Sequence, residues 1–232
     1  MIKRPFLLLL AAVLAVPATV ALAQGAAQAP RDWTRTVAAT PEGGFRMGNP
    51  DAPVKVVEYL SLTCPHCAAF AREGTPQLVR NFVRSGRVSL EYRNLVLNGP
   101  DVVASMLARC GGTANFFPMA ERIYATQEQW TGRLRTIPAD QRTAMMAMNN
   151  ADRMLRLAEL SGLTAIAAQH GVPAAQSRRC LADEAAFNRL GQMAQAATSL
   201  GVNSTPTFLI NGTKAVVNDW ASFEALIRQA GG

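Results

Sequence analysis

With 232 residues, 49% of them hydrophobic and 17% charged, the chain has a globular composition and enough length for one substantial core. Lys and Arg outnumber Asp and Glu by 23 to 16, for a net charge of +7. The excess is dispersed: its nearest approaches to clusters are Arg133 with Arg135 and Arg178 with Arg179, without interleaved aromatics. This reads as solvated surface and argues against a nucleic-acid partner.

Lys3 and Arg4 precede an unbroken apolar run from Phe6 to Val16, then Pro17 and the small-x-small triplet Ala21-Leu22-Ala23. This predicts a secretory signal peptide over residues 1–23, cleaved after Ala23. The competing reading is an uncleaved membrane anchor, disfavoured because the apolar run is short for a span. Residues 24–44 read as a flexible N-terminal segment with a short edge strand at Thr36-Val37-Ala38, and Gly48-Asn49-Pro50-Asp51 is a turn cluster. An exported chain with four cysteines belongs to an oxidising compartment.

Residues 45–99 carry two predicted strands. Val54 to Leu60 is β-branched and mostly apolar, and Val88 to Val96 alternates in its first half. Between them, Ala68 to Glu73 begins a helix that Pro76 kinks or restarts. The sequence Cys64-Pro65-His66-Cys67 therefore falls where a strand hands over to a helix. The first amides of a helix lack internal partners and its dipole is positive there, so a thiolate is favoured. Two intervening residues let the sulfurs close a short ring, so the pair can shuttle between dithiol and disulfide. A structural disulfide is one alternative. Half of a metal site is another, but zinc needs more ligands than this sequence clusters, and no metal is expected. No His follows Cys67, which excludes covalent haem attachment.

From residue 100 to 200 the period is helical. Val103, Met106 and Leu107 form one stripe, and Phe116, Phe117, Ala120, Ile123 and Tyr124 a second. Met145, Met146 and Met148 read as core filling. Cys180 to Leu200 reads as the longest single helix. In the oxidising compartment, Cys110 and Cys180 are expected to form a structural disulfide, the alternative being that they exchange with Cys64 and Cys67. In residues 201–232, Thr207 to Ile210, Asn211-Gly212 and Thr213 to Val217 predict a hairpin, followed by a closing helix with Trp220, Phe223 and Ile227 on its apolar side. The expected fold is α/β: one sheet domain in two pieces, 45–99 and 201–232, carrying an all-helical insertion at 100–200.

The CPHC site after a strand, with Asn203-Ser204-Thr205-Pro206-Thr207-Phe208 opening a late strand and a helical block between, resembles the DsbA family of periplasmic thiol–disulfide oxidoreductases within the thioredoxin superfamily. The resemblance implies that Cys64 is the nucleophile and Cys67 the buried resolving thiol. His66 would favour the Cys64 thiolate by donating to it, and Pro65 would border the substrate. Pro206 would be cis and pack against the disulfide, presenting the backbone at Thr205 to a substrate strand. Glu58, six residues before Cys64, corresponds to a buried acid that could take the proton from Cys67. Strand parity agrees, since Glu58, Val56 and Val54 share a face.

The implied activity is disulfide formation in unfolded or reduced exported proteins in the periplasm. No cofactor is required, a DsbB-like membrane partner would reoxidise the pair, and the chain would act as a monomer. Thr205 departs from the apolar residue of oxidase-type members and keeps open an isomerase or reductase. A non-catalytic peptide-binding chaperone with a structural CxxC is the reading from a different class.

Overall fold

The computed structural model describes residues 31–217 and 219–232, with Ile2 besides. The expected signal peptide, its cleavage after Ala23 and residues 24–30 lie outside the described residues. No helix among the described residues is long and apolar enough to cross a membrane.

The strands are β1 (Val37–Ala39), β2 (Phe45–Gly48), β3 (Val54–Leu60), β4 (Val88–Asn94), β5 (Thr207–Ile210) and β6 (Thr213–Ala215). They form one six-stranded sheet in the order β1-β2-β4-β3-β5-β6. Among the described strands only β3 and β4 run parallel, joined by the helices α1 (Pro65–Glu73) and α2 (Thr75–Leu78) and a π-helical turn over Val79–Val83. Pro76 has no amide to extend α1, so the chain restarts at Thr75. Eight helices separate β4 from β5: α3 (Gly99–Cys110), α4 (Thr113–Ala125), α5 (Gln127–Arg135), α6 (Ala139–Met146), α7 (Asn150–Ser161), α8 (Leu163–Gln169), α9 (Ala174–Leu181) and α10 (Glu184–Ser199). The closing helix α11 spans Trp220–Gln229.

Where the structure departs from expectation, a local cap or an edge decides. The pattern read as one helix from Cys180 to Leu200 is broken at Asp183, whose carboxylate accepts from the Ala185 and Ala186 amides and starts α10 afresh. The second hairpin strand stops at Ala215, on the sheet edge, and Val216 is exposed. Met145 is buried, but Met146 and Met148 are exposed, so that trio fills the core only in part. Asn211 and Gly212 both take positive φ, as a tight two-residue hairpin requires.

The sheet row that positions the site runs Phe45, Tyr92, Glu58, Phe208 and Ala215 across β2, β4, β3, β5 and β6. On this face Phe45 stacks on Phe116 of α4 at 4.1 Å, and Phe208 packs against Phe70 of α1 and Phe223 of α11 at 4.5 and 4.7 Å between ring centroids. Helix α10 covers part of the other face through Ala197, beside Tyr59, Leu95 and Val202. Cys110 at the end of α3 and Cys180 in α9 are joined by a disulfide, Cα to Cα 5.9 Å, closing a separation of 70 residues within the helical block.

Candidate active site

β3 ends at Leu60, and Ser61-Leu62-Thr63 turn the chain into α1. Cys64 is the N-cap, in extended conformation, and Pro65 occupies the first turn, where its missing amide is not needed. Both cysteines are free thiols and both are buried, Cys64 at 7% exposure and Cys67, one turn further in, at 0%. Cys64 is therefore nearly covered, and Cys67 wholly so.

Their environments push the two thiols apart. The Cys64 pKa falls from 9.0 to about 5, chiefly because the Cys67 thiol can donate to its sulfur. The Thr205 hydroxyl and the backbone amides of Cys67 and His66 add to this, against the opposing effect of burial. Cys67 is driven far upward by burial, by the Cys64 sulfur and by the charge of Glu58, with only the Ser61 amide favouring its thiolate. In the dithiol, the Cys64 thiol points at the Thr205 carbonyl, 3.3 Å away. The Thr205–Pro206 peptide bond is cis.

Glu58 sits at 2% exposure between Tyr92 and Phe208, and its Oε2 makes no hydrogen bond. Burial first, then the neighbouring Cys64 charge, raises its pKa from 4.5 to about 8. An acid so placed exchanges protons near neutral pH, and its charge is felt by the Cys67 thiol, which cannot otherwise ionise. The phenols of Tyr92 and Tyr124 are also pushed up, by burial and by the Glu58 and Cys67 charges.

The structure brings together Cys64, Cys67, Glu58, Thr205 and Pro206. The His66 imidazole is placed differently from expectation: it is exposed, with no hydrogen bond among the described residues, and His66 favours the thiolate through its backbone amide. The side chain instead borders a groove of about 350 Å³ that is also lined by Phe70, Thr205, Pro206, Phe208 and Trp220. Cys110 and Cys180 belong to the helical block, linked to each other and apart from the CPHC pair. No group of three His, Cys, Asp or Glu side chains among the described residues could hold a metal ion.

Sequence reasoning missed three residues. Asp101, Tyr124 and Gln127 are buried and hydrogen-bond to the turn that carries Cys64. Asp101 was readable as part of a helix cap, since Asn98 accepts from its amide. Nothing in the spelling says that its carboxylate points inward, or marks Gln127 at all.

A family model described as thioredoxin matches residues 40–229. A Rickettsia bellii protein named as a protein-disulfide oxidoreductase is 28% identical over 194 residues, covering 82% of this chain. The chain spans 65% of that relative's length and 54% of a similarly named Rickettsia prowazekii protein. Among solved structures, a protein-disulfide isomerase from Novosphingobium aromaticivorans matches with TM-score 0.74 and 30% identity, over 80% of this chain and 96% of that one. The Wolbachia pipientis alpha-DsbA1 structure shares the fold, with TM-score 0.65 and 22% identity over 80% and 90% of the two chains. A thioredoxin-like sheet with a helical insertion, a cis proline facing a CPHC pair and this breadth of match lead to one assignment: the chain belongs to the thioredoxin family.

Proposed function

We propose that this protein is a thiol–disulfide oxidoreductase that forms disulfide bonds in exported proteins, acting as a monomer in the periplasm after removal of residues 1–23. The observation that carries the reading is the split between the two thiols: Cys64 held down to about 5, Cys67 pushed far up, and Glu58 poised at about 8 between them. The sheet pieces 45–99 and 201–232 supply the cysteines and Pro206, and the insertion 100–200 covers them.

In the forward reaction a substrate thiolate attacks the Cys64 sulfur of the Cys64–Cys67 disulfide. The S–S bond breaks, Cys67 leaves as a thiolate, and the Glu58 carboxyl supplies its proton. A second substrate thiolate then attacks the substrate sulfur of the mixed disulfide. Cys64 leaves as a stabilised thiolate, a good leaving group. The substrate has lost two electrons and the cysteine pair has gained them. Reoxidation reverses the roles: Cys64 attacks a disulfide of a DsbB-like membrane partner, and Glu58 takes the Cys67 proton so that Cys67 can resolve the mixed disulfide. The groove bordered by His66, Phe70 and Pro206 holds the substrate chain against the Thr205 backbone. The electrons stay on sulfur throughout, so the cycle calls for no cofactor.

The test is the equilibrium of the pair with glutathione, with unfolding of both redox forms alongside. A strongly oxidising pair and a more stable dithiol form are expected. A thioredoxin-like potential with the disulfide form more stable would overturn the oxidase reading. It would favour instead the second reading, an isomerase or reductase, which Thr205 and the name of the Novosphingobium relative support. A Cys64→Ala variant with undiminished activity would point to a peptide-binding chaperone.

A further inference from the structure

Ser61 to Cys64 form the turn on which the redox pair depends, and their backbone groups are satisfied from outside the sheet. The Tyr124 hydroxyl of α4 donates to the Ser61 carbonyl at 3.1 Å. Asp101 of α3 accepts the Leu62 amide at 2.8 Å with one carboxylate oxygen and the Leu97 amide at 2.9 Å with the other. The Gln127 amide of α5 donates to the Leu62 carbonyl at 2.9 Å and to the Cys64 carbonyl at 3.0 Å. One side-chain NH2 thus spans the two carbonyls on either side of Thr63. All three side chains are buried, and all three lie in the inserted helical block.

The Cys64 carbonyl is also the acceptor of the Ala68 amide, the bond that opens α1. Its orientation sets the torsion between the Cys64 sulfur and the α1 amides of His66 and Cys67 that favour the thiolate. Hydrogen bonds weaken steeply as their angle opens, so a small rotation there is felt at the sulfur. Ser61 is gripped at its carbonyl while its amide favours a Cys67 thiolate, so both sulfurs are referred to the same clamp.

We propose that Gln127, with Tyr124 and Asp101, is a positioning residue of the redox site: the inserted helices, through the Ser61–Cys64 turn, aim the α1 amides at the Cys64 sulfur and so tune its oxidising strength. The inference rests on the thiol–disulfide reading of the site. It assigns the insertion a part in the chemistry besides covering it.

The test compares the full-length wild type with Gln127→Met, which keeps side-chain length and removes the donor, and Gln127→Glu, whose carboxylate would face two carbonyl oxygens. Gln129→Ala, on the exposed side of α5, is the control. Thiolate absorbance against pH and the glutathione equilibrium are read on each, with thermal unfolding to confirm folding. In Gln127→Met the Cys64 thiolate midpoint rises by about one pH unit, a tenfold change in the thiolate ratio, with a shift of about tenfold in the glutathione equilibrium towards the disulfide. Gln127→Glu moves further in the same direction, and Gln129→Ala does not move. A lowered melting temperature with unchanged thiolate midpoint and equilibrium would overturn the proposal, reducing Gln127 to a structural residue. If Gln127→Met does not fold, Tyr124→Phe, which deletes one oxygen, is read by the same criteria. A wild type that titrates but never exchanges with glutathione would overturn the function instead, and the titration would still judge the clamp.

Discussion

Replacing Glu58 by Leu removes a carboxyl buried in the aromatic row of the sheet and leaves a side chain of similar size. The unpaired Oε2 and the surrounding apolar groups make the charged form costly, so the folded-state pKa stands at about 8 against an ordinary 4.5. The folded protein therefore binds this proton more tightly than the unfolded chain. Stability is fully present below about 4.5 and is lost as pH rises towards the folded value. At about 1.4 kcal/mol per unit, the loss reaches about 3 kcal/mol at pH 7 and levels near about 5 kcal/mol above pH 8. Glu58→Leu escapes that loss. Guanidinium unfolding of wild type and variant, both in the dithiol form, should show the difference widening from acid to neutral pH by about 3 kcal/mol in favour of the variant. The stabilised variant should also resolve slowly, accumulating the Cys64 mixed disulfide during reoxidation. A stability difference independent of pH would refute the assignment of a buried, proton-holding Glu58.

Three further outcomes follow from the same geometry. Thiolate absorbance of the dithiol form should show a midpoint near pH 5. Because that folded pKa is depressed, the dithiol form should gain stability over the disulfide form as pH rises from about 5 to about 9, by at most about 3 kcal/mol at pH 7, and less where solvent reaches the sulfur; a titration near 8 to 9 would contradict it. Thr205→Val removes a hydroxyl that favours the Cys64 thiolate, so the midpoint should rise and the pair should become less oxidising in glutathione buffer, whereas an unchanged midpoint would remove Thr205 from the site's electrostatics. Cys110→Ser with Cys180→Ser opens a 70-residue loop and should cost up to about 4 kcal/mol in urea unfolding while leaving the exchange rate at Cys64 intact; a folded variant that no longer exchanges would show the two pairs sharing electrons.

Much of the fold was legible because it rests on short-range preferences. Val54 to Leu60, the helix formers after Cys67 and Asn211-Gly212 each specify their own backbone, and the observed elements fall there. Parity along β3 placed Glu58 on the core face with Val54 and Val56, where the structure has it. The Asp183 cap was equally local and was missed, because an apolar period running on both sides outweighed one polar residue.

The sequence by itself determined that a CxxC pair sits at a strand–helix junction, that a Thr-Pro opens a late strand, and that a helical block lies between them. Tertiary structure alone decided what surrounds the sulfurs. Thr205 meets Cys64 across 141 residues, and Asp101, Tyr124 and Gln127 reach the Ser61–Cys64 turn across 39, 63 and between 63 and 65. No periodicity encodes such meetings, because they depend on how the inserted helices pack onto the sheet. His66 shows the same limit from the other side: its position beside the cysteines was plain, yet the folded residue is exposed and it is its backbone amide that favours the thiolate. Desolvation and hydrogen-bond direction, which set the pKa values of Cys64, Cys67 and Glu58, exist only once the chain is folded.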